Sequence, residues 1–153
     1  MKTIVIGLLG IGLVQGVAAA QTPQEQSQIL RAFQDSVEGY SSAATPAPRI
    51  FTLPVGTVFR QIIAKTLDEQ VHVTHMTAVA PELPLDHHPA ALEPFPDAEL
   101  HEFPPVLARA LPTLPAALDY RLIGNDLVIR DVGGHVIVAV LRDAVGQVVT
   151  TRR

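Results

Sequence analysis

Asp119–Leu141 reads DYRLIGNDLVIRDVGGHVIVAVL, and its two glycine-bearing turns decide the fold. Gly124-Asn125 and Gly133-Gly134 are residue pairs that tolerate positive φ, and each sits between runs of β-forming side chains. They predict a three-stranded antiparallel meander with strands Asp119–Ile123, Asp126–Val132 and His135–Leu141. Two-residue turns also set register. Leu122 then faces Leu127, Tyr120 faces Ile129, Asp131 faces Val136 and Ile129 faces Val138. Side chains alternate along a strand, so Tyr120, Leu122, Leu127, Ile129, Val136, Val138 and Val140 share one face that must be buried. The opposite face carries Asp119 across from Arg130, then Arg121, Asp126 and His135, with Val128, Ile137 and Leu141 between them. A cross-strand charge pair contributes only about 0.2–1 kcal/mol, so burial of the apolar face dominates.

Such a sheet needs a cover, and the residues before it supply one. Gln21 to Tyr40 is predicted helical: Thr22 with Glu25 forms a capping box, Pro23 suits the first turn, and Ile29, Leu30, Phe33, Val37 and Tyr40 fall on one face. Gly39 ends it. A second helix opens near Leu53 behind Thr52 and Pro54, with Val55, Val58, Phe59, Ile62, Ile63 and Leu67 at helical spacing. Asp68 to Ala80 extends that face through Leu67, Val71, His75 and Ala78, although its β-branched residues also suit a strand; helix is the reading adopted. Residues 41–48 (SSAATPAP) form a linker, and residues 81–115 hold 9 of the 13 prolines. Each proline removes an amide donor and biases its predecessor away from helix, so this stretch is expected to be an extended strap. Room remains for one short helix in Pro104–Leu111, and Phe95, Leu100 and Phe103 are expected to anchor the strap to the core. The fold class is therefore α+β, with two to three N-terminal helices packed on a C-terminal three-stranded β-meander and joined to it by a Pro-rich strap.

The first twenty residues carry one cationic side chain at Lys2, an apolar run Ile4–Val14 and a small-residue A-x-A pattern ending at Ala20. That order describes a cleavable export signal over residues 1–20, and the run is short and glycine-rich for a membrane span. Cleavage would leave residues 21–153, a length that suits a single small domain. With ten Lys and Arg against fifteen Asp and Glu, the mature chain is acidic and has no basic stripe for a nucleic-acid backbone. The chain has no cysteine, which suits a bacterial periplasmic or secreted protein and leaves out a lipid-modified cysteine, thiol nucleophiles and thiolate metal sites. No membrane anchor is expected after cleavage, and an envelope protein is the expected kind of partner. The tail Gln147–Arg153 is expected to fray, with room for one more short strand.

Arg49-Ile50-Phe51-Thr52 leading into Val58-Phe59-Arg60, the proline-flanked Leu111–Pro115, and Tyr120-Arg121-Leu122-Ile123-Gly124-Asn125-Asp126-Leu127-Val128 resemble an uncharacterised family of small exported bacterial proteins, whose hairpin commonly reads YRxxGxDLVLxD. That resemblance implies export and carries no activity. More loosely, the C-terminal meander is similar to the end of the periplasmic nickel/cobalt-homeostasis regulator family, which implies a metal role.

Five of the six histidines, His72, His75, His87, His88 and His101, lie among Glu82, Asp86, Glu93, Asp97, Glu99 and Glu102. On a helix, His72 and His75 stand three apart on one face and suit a shared ion, with Asp86-His87-His88 adding a ligand from the loop. On a strand they point apart, and the cluster is then a set of solvated loop residues. Imidazole with carboxylate and no thiolate would select Zn, Cu or Ni. The four serines, Ser27, Ser36, Ser41 and Ser42, lie in no nucleophile elbow, and neither a phosphate loop nor a dinucleotide fingerprint occurs. Glu99 and Glu102 alone do not make a catalytic pair. The functional expectation is a non-catalytic exported module with no cofactor, and the alternative is a periplasmic divalent-metal binder using the histidines.

Overall fold

A computed structural model describes residues 21–40, 49–74, 88–96 and 102–146. Helix α1 spans Pro23–Glu38, α2 spans Leu53–Thr74 and α3 spans Pro105–Ala110; strands β1 Leu118–Ile123, β2 Asp126–Asp131 and β3 Val136–Leu141 form one sheet in the order β1-β2-β3. The architecture is α+β with a C-terminal antiparallel meander, as the turn spacing predicts.

Local chemistry sets the helix ends. The Thr22 hydroxyl accepts from the Glu25 amide at 3.2 Å, and the Glu25 carboxylate accepts from the Thr22 amide at 2.9 Å, so the capping box is formed from both sides. Gly39 caps the far end with its amide bonded to the Asp35 carbonyl at 3.1 Å. In α2 the amide of Gly56 closes the first turn on the Thr52 carbonyl at 2.8 Å. A Cβ at Gly56 would stand 2.9 Å from Cδ1 of Leu141, so a larger residue there would have to displace that methyl group. The helix extends through His72 to Thr74, and residues 75–80 of the expected continuation lie outside the described residues.

Burial of the helix faces against the sheet makes the main core. Phe33 and Val37 from α1, Val55, Phe59 and Ile63 from α2, and Leu107 from α3 meet Tyr120, Leu127, Ile129 and Leu141. Phe59 is its hub: its ring centroid lies 4.7 Å from Phe33, 5.4 Å from Phe51 and 6.3 Å from Tyr120. Removing a buried phenylalanine from such a position costs about 3–5 kcal/mol, comparable with the whole stability of a small domain.

The first hairpin has the register expected of it, with Tyr120 opposite Ile129 and Leu122 opposite Leu127. Gly124 takes φ 58° at the first position of its two-residue loop, where a side chain would be strained. The second hairpin differs in two ways. Asp131 still faces Val136, but Ile129 faces Ala139 rather than Val138, because a bulge leaves Val138 as an extra residue on β3. Beyond the bulge the faces exchange, so Leu141 enters the main core while Val140 joins the opposite face with Val128 and Ile137. The connecting loop is the four residues 132–135, and its left-handed residue is His135 at φ 52° rather than a glycine. Gly133 and Gly134 instead offer their amides to Asp131 Oδ1, both at 2.9 Å.

The sheet's second face is also apolar. Ile123, Val128 and Ile137 form a second buried cluster there with Phe95 from the strap. Leu92 and Glu93 bond to Ile137, and Phe95 bonds to the His135 carbonyl, so the strap runs antiparallel along the outer edge of β3. Phe103 stacks on Tyr120 at 5.8 Å on the other side of the sheet, and Leu100 lies outside the described residues.

The loop geometries give opposite expectations for three glycines. Gly124→Ala is expected to lower stability by about 1 kcal/mol in urea unfolding, because alanine must adopt positive φ. Gly133→Ala and Gly134→Ala are expected to stay within about 0.5 kcal/mol of the parent, since an added Cβ meets neighbours no nearer than 3.5 Å.

Candidate functional site

β2 reads Asp-Leu-Val-Ile-Arg-Asp, three apolar residues flanked by charged ones, and all six are buried. The charged ones are Asp126, Arg130 and Asp131. Burying an ionised group is costly unless it is paired and hydrogen-bonded, so the partners of these three define the polar chemistry of the sheet.

Arg130 meets Asp119 of β1 directly across the ladder. Its Nε donates to Asp119 Oδ1 at 3.0 Å and its Nη2 to Oδ2 at 2.7 Å, a two-point contact. Arg121, two residues along β1 from Asp119, adds bonds of 3.1 and 2.8 Å to Oδ2. The Arg130 guanidinium lies 5.2 Å from the centroid of the Phe95 ring, within cation–π distance. Burial pushes the Asp119 carboxyl up, but the hydrogen bonds and charges of Arg130 and Arg121 outweigh it and hold the group below the usual carboxylate range.

Asp131 sits where β2 enters its loop. Its Oδ1 takes the two glycine amides and its Oδ2 accepts from the Tyr40 hydroxyl at 2.9 Å, tying the end of α1 to the sheet. The Gly134 amide is the main cause of a lowered carboxyl pKa, opposed by burial and helped by Tyr40, Gly133 and the nearby His135. Burial, together with this bond, pushes the Tyr40 hydroxyl up to about 12. Asp126 opens β2: Arg142 Nη1 donates to its Oδ2 and the Asp143 amide to its Oδ1, both at 2.8 Å. Arg60 of α2 completes this corner by donating to the Arg142 carbonyl at 2.7 Å. Asp119 and Asp131, held ionised by their donors, accept hydrogen bonds and do not serve as proton donors near neutral pH.

The histidine group is only partly brought into this frame. His72 lies in the last turn of α2, and His88 opens the described part of the strap, where its exposed ring places Nδ1 3.8 Å from Asp126 Oδ2. That separation is too long for a hydrogen bond, and Arg142 already occupies the same oxygen. His75, His87 and His101 lie outside the described residues. Among the described residues no three His, Asp or Glu side chains gather as a metal-binding set. The contact that sequence reasoning missed is Phe95 over Arg130. A proline-flanked aromatic and a lone arginine in an apolar strand are its only sequence traces, and nothing in their spacing links them.

Two grooves flank the sheet. One of about 420 Å³ runs beside β1 between Glu102, Phe103, Pro112 and Arg121; the other, of about 490 Å³, lies at the outer edge of β3 between Arg49, Leu53, Ala91 and Val140. Leu53 on the rim of the second is 84% exposed. Comparison with protein-family models, with curated proteins and with solved structures finds no match.

The polar network sets two expectations. Asp119→Ala leaves the Arg130 guanidinium buried without its partner and is expected to cost about 2–3 kcal/mol in urea unfolding, the low end for a buried pair because Asp119 is itself partly exposed; Arg121→Ala is expected to cost under about 1 kcal/mol. Both Asp119 and Asp131 are held below the usual range, so their stabilisation is complete above about pH 4 and drains as pH falls through their folded values. Melting temperature is therefore expected to fall on acidification below about pH 4, and less steeply in Asp131→Asn, which has already lost one of the two groups.

Proposed function

We propose that this protein is an exported, non-catalytic bacterial module, periplasmic or secreted, that acts by binding a partner in the envelope. The observation that carries the reading is that Asp119, Asp126 and Asp131 each have both carboxylate oxygens engaged by arginines, backbone amides or a tyrosine hydroxyl. Their chemistry is committed to holding the sheet together, which supports recognition by shape and by main-chain edges over a catalytic use of these three carboxylates. The export-type N-terminus, the lack of cysteine and the resemblance to small exported proteins support the same reading. Among the described residues no helix is long and apolar enough to cross a membrane.

A second reading, binding of Zn, Cu or Ni through His72, His75, His87, His88 and His101, is favoured by one contact, the approach of His88 to the buried Asp126. Expression of the full chain in a Gram-negative host separates the outcomes. Mass spectrometry of the exported protein is expected to show a chain beginning at Gln21, and retention of residues 1–20 on a cytoplasmic product overturns the export reading. Melting temperature is expected to be the same with Zn(II), Cu(II) or Ni(II) as with chelator. A rise that disappears in a variant with His72, His75, His87 and His88 changed to alanine would transfer the assignment to metal binding.

A further inference from the structure

The strap residues His88–Pro96 lie on the sheet as a separate peptide would. Three main-chain bonds hold them along β3: Leu92 N–H to the Ile137 carbonyl at 2.7 Å, Ile137 N–H to the Glu93 carbonyl at 2.8 Å, and Phe95 N–H to the His135 carbonyl at 2.7 Å. Pro94 and Pro96 have no N–H to add, whereas β1 and β2 pair over six residues. Pro89 and Phe95 are the buried residues of the segment, and the aromatic anchor is the Phe95 ring, seated among Ile123, Val128 and Ile137 with the Arg130 guanidinium at its face. Just before the anchor the chain turns sharply. The Glu93 amide and carboxylate both bond back to Ala90, and Leu92 sits at φ 71° with its side chain half exposed, a backbone conformation that strains a leucine.

An extended backbone on a strand edge, with one side chain in a pocket, is the way a sheet recognises a foreign strand. We propose that residues 88–96 are a displaceable, self-supplied occupant of a peptide-binding site, and that the site takes an extended partner segment carrying an aromatic residue between prolines. Glu93-Pro94-Phe95-Pro96 shows the chemistry it recognises: apolar walls from Ile123, Val128 and Ile137 accept the ring, and Arg130, held in place by Asp119, favours an aromatic ring over an aliphatic side chain. With the strap in place the site is closed, so the contact is autoinhibitory. The inference rests on the binding-module reading and names the class of partner.

Native-state hydrogen exchange on the mature wild-type protein tests the opening. The amides of Leu92, Phe95 and Ile137 are expected to exchange at least 100-fold faster than the most protected amides of the β1–β2 ladder; equal protection means the strap leaves only on global unfolding and overturns the proposal. Recognition is tested with a fluorescein-labelled peptide of residues 88–96, titrated against wild-type protein and against the Phe95→Ala variant. Saturable binding is expected to the variant, at least tenfold weaker binding to wild type, and none by a peptide that itself carries Phe95→Ala. Absence of binding to a variant whose circular dichroism matches wild type overturns the site, and if that variant does not fold the exchange measurement decides alone. Neither result depends on where the signal is cleaved, so failure of the export reading is seen separately.

Discussion

The central strand of this protein has no wet side, and the rest of the architecture follows from that. A three-stranded sheet ordinarily buries one face and leaves the other to solvent. Here Leu127 and Ile129 face the helices while Val128 faces the strap, and all three are fully buried. Two covers are therefore required. The helices provide one through the Phe33, Phe51 and Phe59 rings, and the strap provides the other through Phe95. A second face left bare would be a contiguous apolar patch beside an open strand edge, the combination that promotes association with other chains.

Charges on the same strand are tolerated because each is satisfied, and the satisfying groups come from distant parts of the chain. Asp131 reaches the end of α1 through Tyr40, Asp126 draws in the turn after β3, and Arg130 binds β1 on one side and the strap's aromatic ring on the other. Such buried pairs add little net stability against well-packed apolar replacements. Their effect is to set position: a strand slipped by one residue would bury each charge without its partner. The network fixes which face of the meander meets which cover.

The helices, the meander and the first hairpin's register were legible in the residues because each rests on near neighbours: Thr22 with Glu25, the apolar spacing of α2, Gly124 with Asn125. The second hairpin was legible only in part. Gly133-Gly134 resembles a two-residue turn, yet the Asp131 side chain captures both glycine amides, widens the loop and passes the left-handed position to His135. The bulge at Val138 has no local signature, and it reverses the faces of Val140 and Leu141. Of the histidine cluster, His88 alone has a described side chain, and the group it approaches, Asp126, which the residue pattern places on the sheet's second face, is buried.

The sequence by itself determined the element order, the capping of α1, the amphipathic face of α2 and the antiparallel meander, since side-chain period and turn chemistry act over a few residues. Only the tertiary structure decided that both sheet faces are covered, that Phe95 lies over Arg130, and that Tyr40 closes on Asp131. Those contacts join residues far apart in the chain. Their partners are chosen by which surfaces remain exposed once the local elements have formed, and no short-range pattern records that choice.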